Sequence, residues 1–81
     1  MISPDLKKQL RYRSWHRGTK EADLLMGGFA DKYIDELSAH ELELYQKLLN
    51  ENDSDIMDWI FGKKPHPTYI PDHFIEKLRN L

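Results

Sequence analysis

The chain has no cysteine, which removes disulfide staples and thiolate chemistry together. Small secreted scaffolds usually rely on such bridges where a core is too small, which argues against that class. No apolar run approaches the ~20 residues that a membrane helix needs, and a charge appears as early as Asp5. The basic, apolar and small-residue succession of a signal peptide is missing, as is an Arg- and Ser-rich presequence ahead of the first helical pattern. A cytoplasmic protein of a bacterium is expected. Period-two alternation is too short anywhere to make a strand.

Residue sets that carry chemistry are also missing. His16, His40, His66 and His73 fall at none of the close spacings that zinc sites use. The acidic run from Asn50 to Asp55 lacks the sixth-position glycine and twelfth-position glutamate of a calcium loop. There is no G-x-S-x-G turn for a nucleophilic serine. Gly27-Gly28 is not followed by the Lys-Ser/Thr of a phosphate-cradling loop. Neither catalytic nor metal-ligating residues are expected.

What is present suits a small helical fold. The 81 residues are 40% hydrophobic and 32% charged, enough for one domain over residues 1–81 with a modest core. Ser3-Pro4 opens a first helix over 4–17, with Leu6, Leu10, Tyr12 and Trp15, stopped by Gly18. A second helix over 20–35 carries Leu25, Phe29 and Tyr33 as a stripe flanked by Leu24, Met26 and Ile34. Gly27-Gly28 in its middle points to a close helix–helix approach or a kink. Ser38 and Glu41 form a capping box for the third helix, Leu37 and Leu42 its staple, and Leu42, Tyr45, Leu48 and Leu49 its buried face. Asp53 or Ser54 caps a fourth helix burying Ile56, Trp59 and Ile60, closed by Gly62. Lys63 to Ile70, with Pro65 and Pro67, reads as a loop. Pro71 opens a last helix with Phe74, Leu78 and Leu81 inward. The fold class is all-α, a compact bundle of about five short helices.

Net charge is −2, unevenly divided. Residues 1–20 hold Lys7, Lys8, Arg11, Arg13, Arg17 and Lys20 against Asp5 alone, and the remainder holds six Lys/Arg against thirteen Asp/Glu. Such polarity steers partners by sign. Tyr12 and Trp15 interleave with the arginines as in a surface that grips phosphates and stacks bases, although the pI of about 6.0 argues against a nucleic-acid domain.

The segment Ser14 to Asp23 is the corner between helices 1 and 2. Gly18 lets another backbone approach closely, and Arg17 projects a planar fork able to hold a carboxylate or carbonyls. Glu21 and Asp23 lie in the first turn of helix 2, where the helix dipole favours them. A plainer account fits the same residues: Gly18 ends a helix, Arg17 and Glu21 form a surface ion pair, and Glu21 caps helix 2. Chemistry alone leaves both open.

Arg17-Gly18-Thr19-Lys20-Glu21 reads R-G-x-x-E and continues through Asp23, Leu24-Leu25 and Phe29-Ala30. Leu37-Ser38, the Tyr45-to-Leu49 stretch and Asp53-Ser54-Asp55-Ile56-Met57-Asp58-Trp59 follow. In order and spacing this resembles the succinate dehydrogenase flavinylation factor family, also called succinate dehydrogenase assembly factor 2, over about residues 10–65, with a looser match after Pro67. Many relatives carry two basic residues before the glycine, where this chain has His16 and Arg17. The resemblance implies a five-helix assembly factor, not an enzyme. It would bind the flavoprotein subunit of succinate dehydrogenase, and in some bacteria that of fumarate reductase, and promote covalent attachment of FAD to a histidine of that partner. FAD is then the partner's cofactor, held by no stable site here, and neither nucleic acid nor a membrane is a partner. By the resemblance, the partner-binding residues are Arg17, Gly18 and Glu21, with Asp23 and His16. Trp59 is read as core and Asp55 as a helix N-terminal charge. Alanine at Arg17 or Glu21, or arginine at Gly18, is expected to leave the fold intact. Competing readings are an antitoxin-like regulator or a nucleic-acid module using the basic first helix.

Overall fold

Helix α1 (Pro4–Trp15) begins at proline, whose missing N–H costs nothing in a first turn. The Ser3 cap expected before it lies outside the described residues, which are residues 4–81 of a computed structural model. α1 stops two residues short of the expected 17. The cause is local: the His16 ring bonds the Tyr12 carbonyl at 2.7 Å, and the Arg17 N–H turns away to the Asp23 carboxylate at 2.5 Å.

α2 (Lys20–Tyr33) is capped by Thr19, whose Oγ1 accepts from the Ala22 N–H at 3.3 Å. It tightens into a 3-10 turn at Ile34–Glu36, where the sequence predicts continued α-helix. Ser38 caps α3 (Ala39–Leu49) with both halves of the capping box made, Ser38 Oγ accepting from Glu41 and the Glu41 carboxylate from the Ser38 N–H. Leu37 and Leu42 are buried on either side of it. α4 (Asp53–Ile60) has Asn52 at its cap position with no side-chain bond. The sequence placed that cap one or two residues later, and Asp53 is engaged elsewhere. Gly62, at φ +76°, follows α4, and Arg79 closes its end by donating to the carbonyls of Ile60 and Trp59.

α5 (Asp72–Arg79) buries Phe74, Ile75 and Leu78. Leu81, expected inside, is 46% exposed because the helix has already ended at Arg79. Among the described residues there is no strand.

α1 and α2 form an antiparallel pair, α5 packs on α2 and α4, and α3 lies against α1. The core is aromatic at its centre. Phe29 of α2 stacks on Tyr45 of α3 at 5.2 Å and meets Phe74 of α5 at 5.6 Å, so one cluster ties three helices. The Tyr45 hydroxyl is bonded to Ser14 Oγ at 2.6 Å, and Ser14 donates on to the Leu10 carbonyl. Trp59 belongs to the core and Asp55 to the first turn of α4, as read from the sequence. The radius of gyration, 11.7 Å, is that of a well-packed domain of this length.

The capping box predicts a pH response. The Ser38 N–H, then His73 at 2.9 Å, hold the Glu41 carboxyl below its ordinary value. A carboxyl depressed in the folded state adds stability above its unfolded pKa and loses it as pH falls through the folded one. Glu41→Gln still accepts the Ser38 N–H but removes this charge. Its melting temperature is expected to fall less steeply below pH 4.5 than that of the parent, and an identical slope would contradict the assignment.

Candidate functional site at the first helical corner

The corner runs from His16 to Thr19 between α1 and α2. Gly18 sits at φ +116° with nothing within 4 Å of where a Cβ would lie. Its glycine is therefore a backbone requirement, and the space above it is open. His16 and Glu21 are exposed beside it. The His16 ring stacks on exposed Tyr12 at 4.0 Å with an interplanar angle of 16°.

Arg17 behaves otherwise than expected. Its side chain does not project; it is 9% exposed and turned inward. Nε donates to Asp53 Oδ1 at 2.8 Å, Nη2 to the Glu51 carbonyl at 2.6 Å, and Nη1 to the Leu49 carbonyl. These acceptors lie at the end of α3 and the start of α4, so a planar fork joins the corner to the α3–α4 junction. The anticipated Arg17–Glu21 surface pair is replaced by this clasp. Asp23 serves the same corner from the other side: its Oδ1 accepts the Arg17 N–H at 2.5 Å and the Gly18 N–H at 3.3 Å.

The motif therefore separates into two sets. Arg17 and Asp23 hold the corner from within, while His16, Gly18 and Glu21 lie on its surface. An open hollow of about 560 Å³ is lined by Trp15, His16, Gly18, Thr19, Lys20, Asp23 and Leu24. Sequence reasoning missed the partners of Arg17. The sequence presents Asp53 as a helix-cap candidate within an acidic run and the family pattern, not as a partner of Arg17, and the two carbonyls leave no residue-type signal at all. A second layer supports the clasp: Tyr69 Oη donates to Glu51 Oε2 at 2.8 Å, and burial with that carboxylate pushes the phenol up to about 12, so it stays a donor at neutral pH.

The basic helix is engaged within the fold. Arg11 and Lys7 pair with Asp35, and Arg13 donates to Asn50 at 2.6 Å. Trp15 lies against Gly27 and donates to Asp31 at 3.2 Å, leaving Tyr12 as the exposed ring of the expected aromatic pair. Among the described residues, no cluster of three or more His, Cys, Asp or Glu is gathered for a metal, and no helix is long and apolar enough to cross a membrane.

The family described as flavinator of succinate dehydrogenase matches residues 8–81, so the likeness extends through the tail that the sequence reading matched only loosely. An FAD assembly factor from Acetobacter pasteurianus is 39% identical over 61 residues, covering 75% of this chain and 56% of that protein. Mitochondrial succinate dehydrogenase assembly factor 2 of Dictyostelium discoideum is 44% identical over 76 residues, or 94% and 51% of the two chains. Its counterpart in Saccharomyces cerevisiae is 49% identical over 53 residues, or 65% and 33%. The chain thus spans about half the length or less of these relatives.

Proposed function

Because this chain belongs to the succinate dehydrogenase flavinator family, we propose that its α1–α2 corner docks on the flavoprotein subunit of succinate dehydrogenase. There it promotes bonding of FAD to a histidine of that subunit, with the fumarate reductase flavoprotein as a second client. The observation that carries this reading is the division of labour at the corner: an open, glycine-topped surface held from inside by Arg17 and Asp23.

Such a surface suits a helper without reacting groups of its own. FAD remains the partner's cofactor, and both groups to be joined, the flavin methyl carbon and the histidine, belong to that partner. The factor's task is to keep those two groups in near-attack geometry. Positioning alone lowers barriers by up to about 7–11 kcal/mol in ideal cases, and a rigid corner loses little conformational entropy on docking. The flavoprotein's own compartment, the cytoplasm in a bacterial host, is where the proposal places the protein.

Glu21→Ala and His16→Ala test this directly, since both side chains are exposed. Each is expressed with the flavoprotein in cells lacking the parent factor, and covalent flavin is read as fluorescence of the denatured subunit on a gel. At least one variant is expected to lose roughly tenfold, the effect of an interface contact worth about 1.4 kcal/mol, with an unchanged circular dichroism spectrum. Parental flavin levels with both variants would contradict the assignment of the corner.

A further inference from the structure

Beside the corner, α2 and α4 part to leave an apolar groove of about 590 Å³, with Leu24 and Leu25 on one wall and Met57 and Phe61 on the other. Leu24 is 55% and Phe61 67% exposed. Neither contributes to the core, so folding does not account for two large apolar side chains facing solvent in one place. Contiguous apolar surface of this kind, rimmed by polar groups, marks binding sites.

We propose that this groove seats a segment of the flavoprotein subunit bearing a large apolar side chain flanked by Lys or Arg. The inference rests on the docking reading above and names the second half of the same interface. Continuity is the first argument: Thr19 and Leu24 line both the hollow at the corner and the groove, so a partner seated on Gly18 reaches Phe61 without leaving the surface. Charge is the second. The rim holds Glu21 and Asp53, and α4 carries Asp53, Asp55 and Asp58 among eight residues with no base. Asp53 is engaged by Arg17 and Asp58 by Lys64, which leaves Glu21 on the rim to set a negative field that favours cationic flanks and repels acidic ones. The same field disfavours a second copy of this chain, because a two-fold contact brings a patch onto itself and so places acids against acids.

The test measures affinity for the flavoprotein subunit prepared without covalent flavin, using the parent chain, Leu24→Ser, Phe61→Ser and, for the corner alone, His16→Ala. Both groove variants are expected to weaken binding by about tenfold or more while melting with the parent. A photo-reactive residue at position 61 is expected to label a flavoprotein peptide containing an apolar side chain and neighbouring Lys or Arg. Parental affinity in both groove variants, alongside weakened His16→Ala, overturns the groove and leaves the corner standing. A labelled peptide with acidic flanks overturns the stated chemistry, as does self-association of the parent that Phe61→Ser abolishes. Failure of the parent itself to bind overturns both this inference and the docking reading.

Discussion

Arg17→Ala is expected to lower the unfolding free energy by roughly 3 kcal/mol, the scale seen when one partner of a buried, hydrogen-bonded ion pair is removed. The Arg17 side chain is 9% exposed, and its loss strips Asp53 and the carbonyls of Leu49 and Glu51 of the donors that reach them. A domain this small has a total stability of only about 5–10 kcal/mol, so the midpoint of thermal unfolding should fall by on the order of 15 °C. The measurement is thermal or urea denaturation followed by circular dichroism. Arg17→Lys should recover only part, because an ammonium cannot span acceptors that a planar fork reaches together. A loss below about 1 kcal/mol would place the contact among ordinary surface pairs and contradict the clasp. This revises the expectation that alanine here leaves the fold intact, and under the proposed function it makes Arg17 a positioning residue whose loss is expected to lower flavin attachment through the corner it holds.

Gly27→Ala is expected to destabilise by about 2–3 kcal/mol even though alanine is intrinsically the better helix former by about 1 kcal/mol. A Cβ at position 27 would overlap the indole of Trp15, which is held in place by its bond to Asp31. Relief requires α1 and α2 to separate. Gly28→Ala provides the internal contrast: its Cβ would meet only a Leu81 methyl at 3.6 Å, so the propensity gain should survive and raise stability by about 0.5–1 kcal/mol. Trp15→Ala in the Gly27→Ala background should recover less than additive loss. Equal effects at the two glycines would contradict this account of the close approach.

The elements whose signals are local were legible from residues alone. Ser38 and Glu41 lie three positions apart and satisfy each other's backbone partners, so the start of α3 needs no tertiary information. The inward stripes of α3, α4 and most of α5 follow from the same short spacing. Arg17 differs because its acceptors lie 32, 34 and 36 residues away along the chain. Whether such a side chain projects or folds inward depends on where the α3–α4 junction lands. The Gly27-Gly28 pair shows a similar limit. Both glycines lie in one helix with the same propensity cost, and only the position of Trp15 separates the one that cannot change from the one that can. The ends of α1 and α5 were misplaced because the side chain of His16 and the early finish at Arg79 decide them, not periodicity. At the candidate site, the sequence located the corner but not its division into a holding pair and an exposed set.

The central claim is that the exposed side of this corner touches the flavoprotein. A photo-reactive side chain placed at Glu21, in the full chain with the flavoprotein subunit present, addresses it most directly. The account predicts a crosslink from that position to the subunit. Crosslinks forming only from a site such as Lys8 on α1, with none from position 21, would contradict it.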